Sequence, residues 1–297
     1  LIIGTLAAGM LSIPLGSVPI PLEYIFNPEK APEYIKIIIF NLRLPRIVMS
    51  ILVGMMLSSS GVVVQTVFQN PLADPYIIGI AASATFGAVI AFVFNMPDYM
   101  YGVIAFFTCL SSTLLIFKMA KKGNKVNVAT LLIVGIAVSS FLGAFTSFAM
   151  YLIGEDSFKI TMWMMGYLGN ATWKRVVFIL IPLIFSVGYF YSKRNQLDAL
   201  LSGDEEAHSL GVDVNRLKVK VLTVSALIVA FSVAFSGMIG FVGLIIPHTI
   251  RMIVGPSNTK MLPSTILAGG FFLLICDTFG RIVLAPVEVP ILSLIHI

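Results

Sequence analysis

RLPRIVMSILVGMMLSSSGVVVQTVFQNPLADP, residues 43–75, is the stretch whose reading decides the fold. Its centre, Ile47 to Phe68, is an uncharged apolar run long enough to cross a bilayer as one helix. Arg43 and Arg46 stand at one end, and Asn70, Pro71, Asp74 and Pro75 form a turn-rich loop at the other. Gly54, Ser58, Gly61 and Gln65 recur at i, i+4, i+7 and i+11, which puts them on one narrow helical face. Small residues let a second backbone approach closely, so the spacing predicts a packing seam inside a helical bundle.

Working outward, the rest of the chain is of the same kind. Of 297 residues, 58% are hydrophobic and 11% charged, with a mean hydropathy of +0.99. Soluble domains are not built this way. The long apolar runs are continuous rather than alternating, which points to an all-α polytopic membrane protein and not to a barrel. The net charge of +5 does not imply nucleic acid, because Lys and Arg are scattered between apolar segments as membrane-flanking anchors. Cys109 and Cys276 fall inside apolar runs, so neither a disulfide nor a zinc site is indicated. The chain begins at Leu1, inside an apolar run and without Met, so an amino-terminal part is expected to be missing.

Spans are predicted over residues 1–15, 47–68, 76–94, 101–117, 129–153, 176–191, 221–235, 240–254 and 262–284. Residues 16–42 read as an exposed, proline-rich connection with a short helix near 34–41, and 154–173 as an amphipathic interfacial segment. Lys118, Lys121, Lys122 and Lys125 cluster in one short loop. Placing that loop in the cytoplasm puts most of the 19 Lys and Arg inside, and NPLADP with them. Arg43, Arg46 and Arg281 then lie outside, against the usual bias, which invites a functional explanation. Ser60-Gly61 and Ser236-Gly237 form a weak echo of the kind an inverted repeat leaves.

No catalytic constellation is present: HExxH, GxSxG and GxxxxGK[ST] are all missing from the sequence. Nothing in it argues for hydrolysis of ATP by this chain. Asp277 and Arg281, four apart, read as a structural ion pair, and His248 and Arg251 as capping and anchoring residues. The one long hydrophilic stretch, 193–220, is KRNQLDALLSGDEEAHSLGVDVNRLKVK. It predicts two short helices, and Leu197, Leu200, Leu201, Leu210 and Val212 give it an apolar face suited to a soluble partner. Two functions compete on these residues. One is a permease driven by a partner's ATP hydrolysis. The other is an ion-coupled secondary transporter or channel that uses Asp277, Arg281 and His248 as a relay.

Six strings resemble the FecCD-type permeases of binding-protein-dependent ABC importers, which carry iron–siderophores, haem and cobalamin. They are LRLPR (42–46), GVVVQTVFQNPLADPYIIGI (61–80), WMMGYLG (163–169), SGDEEAHSLGV (202–212), SGMIGFVGLIIPHTIR (236–251), and CDTFGR with EVP (276–281, 288–290). The resemblance covers nearly the whole chain as a single permease domain. It implies a ten-helix type II importer subunit in the cytoplasmic membrane, of which about nine transmembrane helices are present. The implied partners are a second permease copy, as homodimer or paralogue heterodimer, two ATPase subunits that use ATP and Mg, and a substrate-binding protein. No cofactor is bound by the permease itself. By motif, Arg43, Arg46 and Arg281 look like arginines that meet acidic groups of the binding protein. Asn70 and Leu72 look like part of a cytoplasmic gate, with a second gate near Val128 to Thr130. Leu200, Leu201, Gly203, Asp204, Glu205, Ala207, Leu210 and Gly211 look like the segment that couples to the ATPase; Ser202 stands where the family commonly has leucine. After EVP the family continues into a glycine-containing tenth helix. This chain has ILSLIHI instead, so residues 291–297 are expected to be non-native.

Overall fold

A computed structural model describes residues 1–122 and 125–296, and it is helical almost throughout. The chain order is α1 (Ile2–Ser12), α2 (Leu22–Phe26), α3 (Glu33–Ile37), α4 (Leu44–Phe68), α5 (Ile80–Val93), α6 (Tyr99–Ala120) and α7 (Val128–Ile153). Then come α8 (Ser157–Met164), α9 (Trp173–Ser192), α10 (Arg194–Leu201), α11 (Asp204–Ser209), α12 (Val214–Ser236), α13 (Val242–Val254), α14 (Asn258–Ile282) and α15 (Ile291–His296). A two-residue antiparallel pair, Lys121 opposite Val126, lies in the lysine-rich stretch. Among the described residues, 6 helical stretches are long and apolar enough to cross a membrane, and α1, α5 and α13 are shorter apolar helices.

α4 is the hub. Of its most apolar window 83% is buried, against 11% for α7, so α4 runs through the middle of the bundle and α7 along its edge. The small-residue face does form a seam, and it serves two neighbours. Gly54 lies against the Gly269 backbone of α14, and Gly61 against Gly243 and Pro247 of α13. Gln65 Nε2 closes the row by donating to the Leu244 carbonyl of α13 at 3.0 Å. A Cβ on Gly243 would stand 2.6 Å from Pro75 Cγ and 2.8 Å from the Leu57 carbonyl oxygen, so that crossing admits only glycine.

Four segments differ from the sequence expectation. Residues 33–43 are not a separate connection: α3 runs through a π-turn, Ile38–Arg43, straight into α4. Pro45 explains the turn, since a proline ring clashes with the carbonyl four residues back, and here Leu44 N–H bonds to Ile39, five back. The third span opens as a 3-10 turn, Pro75–Ile78, and Gly79 at φ 84° starts α5 only at Ile80. α12 begins at Val214, seven residues inside the hydrophilic stretch, because Asp213 caps it by accepting from Arg216 N–H at 3.1 Å. Gly61 sits within α4 whereas Gly237, φ 68°, ends α12, so the two Ser-Gly pairs share no local structure. At the carboxyl end, Ile291 is buried and Leu292 N–H bonds to the Met165 carbonyl, while Ile297 lies outside the described residues.

Candidate functional site

The motifs sort to the two ends of α4. At its amino end a charge cluster forms with the antiparallel helix α14. Asp277, fully buried, accepts from Arg46 at 2.9 Å and from Arg281 at 3.3 Å, so one carboxylate serves two guanidinium groups. Arg46 spends its remaining nitrogen on Glu288, at 2.9 Å, and its guanidinium lies 5.6 Å from the centre of the Tyr167 ring. Arg43 donates to the carbonyls of Ile13 and Val18, and Arg281 to Leu15 O and Ser12 Oγ. These are the carbonyl-rich turns that leave α1, where a cation satisfies acceptors the helix cannot. All three arginines are therefore buried and engaged within the chain.

The expected Asp277–Arg281 pair is present, but Arg46 is the closer partner, and Glu288 enters as a member that helix spacing could not reveal. The EVP string was its only signal. A cavity of about 520 Å³ opens beside Arg46 and Glu288, with Trp163 and Tyr167 of the WMMGYLG string in its wall. His248, the third member of the conceivable relay, has no bond to this cluster, and the cluster's charges are already paired.

At the other end of α4, Gln69 takes the left-handed conformation, φ 49°, and its N–H and that of Asn70 bond back to Thr66 and Gln65. Asn70 Oδ1 then accepts from Leu72 N–H at 2.9 Å, which fixes the two predicted gate residues to one turn, both exposed. Asp74 accepts from Tyr76 N–H at 2.7 Å. Partial burial raises the Asp74 pKa above the usual carboxylate value, and the backbone N–H groups of Tyr76 and Phe241 oppose that shift.

The hydrophilic segment packs directly beneath this turn. Leu200 and Ala207 are fully buried and anchor α10 and α11, while Leu201, Glu205 and Leu210 face outward, Leu210 with 72% of its surface free. Gly203 (φ 121°) and Gly211 (φ 82°) make the bends on either side of α11. Asp204 is paired with the buried Lys218 of α12 at 2.6 Å. A cavity of about 920 Å³ has walls from the end of α4 (Gln69), the start of α7 (Val128, Ala129) and the α11 segment (Asp204, Glu205, Gly211). Part of the second predicted gate region and part of the predicted coupling segment thus border one space with Gln69, while Asn70 and Leu72 lie just beyond its wall. The family resemblance had given the two gates and the coupling segment as three separate features.

Comparison with known proteins places this architecture. Residues 4–297 match the FecCD transport family. The cobalamin import system permease protein BtuC of Halobacterium salinarum is 40% identical over 253 residues, 84% of this chain and 68% of that protein. The hemin transport system permease protein HmuU of Yersinia pestis is 37% identical over 84% of this chain and 77% of its own length. A solved ABC transporter assigned to the metal-chelate type, in an inward-facing conformation, superposes with a TM-score of 0.89 at 32% identity, covering 99% of this chain and 92% of that one.

Proposed function

The chain belongs to the FecCD transport family, and from that premise we propose that it imports an iron–siderophore complex as one of two permease copies. It is a multi-pass permease of the cytoplasmic membrane, working in a metal-chelate, haem or cobalamin ABC importer. The ATP is used by a partner ATPase, not by this chain. The observation that carries the mechanism is the cavity that Gln69, one residue before the gate turn, shares with Val128, Ala129 and the α11 segment. A partner that draws α11 inward alters the walls beside Gln69 and Val128 without touching the apolar spans. In this reading Asn70 and Leu72 form the gate. Leu201, Glu205 and Leu210 meet the ATPase; Leu200 and Ala207 seat the segment, Gly203 and Gly211 shape it, and Asp204 ties it to α12.

Iron–siderophore is taken as the cargo from the family resemblance, and the probable iron chelatin transport system permease protein of Helicobacter pylori, 32% identical over 271 residues, supports it. Uptake of labelled ferric siderophore, haem and cobalamin by vesicles holding the permease, its ATPase and its binding protein tests the cargo. Siderophore uptake that persists under excess haem and cobalamin supports the assignment, and uptake of only one of the other two overturns it.

Docking of the binding protein by Arg43, Arg46 and Arg281 requires them to exchange internal acceptors for carboxylates of the partner. Arg46 is best placed for this, since its partner Glu288 is 28% exposed. Glu288→Gln should therefore tighten binding-protein docking and steepen its salt dependence. Docking that is unaltered in both respects would remove Arg46 from that role.

A further inference from the structure

We propose that Asp198 is a positioning residue that ties α10 to α14, so that α10, α14 and α4 move as one body during transport. The inference rests on the reading that the 193–213 segment meets the ATPase. Asp198 lies on α10 and is only partly exposed. Its carboxylate accepts from Ser257 Oγ at 3.0 Å, from the Asn258 backbone N–H at 2.5 Å and from Asn258 Nδ2 at 2.9 Å. Those groups form the start of α14, whose own N-cap, Ser257, makes no capping bond with its side chain. A helix start leaves N–H groups without partners and carries partial positive charge, so a carboxylate there is held by charge-assisted bonds. Here the cap comes from another helix, 60 residues earlier in the chain.

Two more links close a triangle. Gln69 Nε2, just past the end of α4, donates to the Leu200 carbonyl of α10 at 2.8 Å. Asn258, fully buried, accepts weakly from Thr66 Oγ1 of α4 at 3.4 Å. Above the triangle, α4 and α14 touch backbone to backbone at Gly54 and Gly269, which resists sliding. At the far end Arg46 and Asp277 join the same two helices. A displacement of α10 is thereby delivered along α14 and α4 to the buried arginines.

The test uses the permease assembled with its ATPase in vesicles. Spin labels are placed through Asn195→Cys on α10, Phe279→Cys on α14 and Gly143→Cys on α7, with Cys109 and Cys276 buried. Distances are measured without nucleotide and after trapping with ATP and vanadate. In the parent the 195–279 distance should stay constant while the 195–143 distance changes. Asp198→Ala should let the 195–279 distance vary on trapping, raising the fraction at a second distance roughly tenfold. Asp198→Asn, which keeps one acceptor oxygen, should restore most of the constancy. If Asp198→Ala fails to assemble, Ser257→Ala, which removes one of the three bonds that Asp198 accepts, should loosen the same distance in part. A 195–279 distance that changes in the parent, or stays fixed in the loosening variant that assembles, overturns the proposal alone. Failure of the ATPase to co-purify with the parent overturns it together with the reading beneath it.

Discussion

Asp277 holds two guanidinium groups on one fully buried carboxylate, so losing it would leave both without their shared partner. A buried ion pair adds little net stability over an apolar substitute, but removing one partner strands the others in a low-dielectric interior. Asp277→Ala should therefore destabilise the permease by about 3–5 kcal/mol, read as a lowered midpoint of thermal unfolding in detergent. An effect no larger than that of the exposed Glu205→Gln would show that the cluster is not held as described. Arg43 is of another kind: it grips the carbonyls of Ile13 and Val18 rather than a carboxylate. Arg43→Lys keeps the charge but loses the fork that reaches both, and should free α1 to proteolysis sooner than the rest. Digestion with no earlier cut near α1 than in the parent would count against that grip.

At the scale of elements, α4 and α14 depend on the absence of side chains where they meet. Gly269 sits so close to Ser58 and the Gly54 carbonyl that any larger residue must push the helices apart. Gly269→Leu should cost more than the ~1–3 kcal/mol of ordinary overpacking, because the Ser58 Cβ and the Gly54 carbonyl oxygen, neither of which can swing aside, stand 2.5 and 2.6 Å from an added Cβ. Recovery of folded, monodisperse protein at parental yield would refute the close crossing. α11 offers the converse case. Leu210 is largely free of the rest of the chain, so Leu210→Asp should leave the unfolding midpoint within the small range of surface changes. It should nevertheless weaken ATPase binding by roughly tenfold, if Leu210 anchors that contact. Pull-down of the ATPase at parental affinity would take Leu210 out of the coupling surface.

For the whole molecule, the lopsided burial of α4 and α7 bears on assembly. α7 presents Phe141, Phe145 and Phe148 outward, and among the described residues nothing beyond its own helix backbone lies within 4 Å of a Cβ built at Gly143. If the second permease copy packs on this face, Gly143→Cys should form a disulfide between copies on oxidation, seen as a dimer on a non-reducing gel. A monomer only would place lipid there instead. Much of this architecture was legible in advance. Apolar length and the four-residue recurrence of Gly54, Ser58 and Gly61 are local properties, so helix number, the central span and its seam follow from residue order. The short helices of 193–213 were legible for the same reason, since Gly203 and Gly211 punctuate them. What residue order could not carry was the choice of partners. Asp277 could be matched to Arg281 one turn away, but Arg46 lies 231 residues distant and Glu288 beyond a turn, so both entered the cluster unannounced. Likewise Arg43, Arg46 and Arg281 read as rim residues because charge at a span end ordinarily faces water. By itself, then, the sequence determined a bundle of membrane helices with two motif-rich ends. Only tertiary structure decided that the arginines turn inward and that the end of α4, the start of α7 and the α11 segment border one cavity, because pairing of charges and sharing of walls depend on which distant helices are brought side by side.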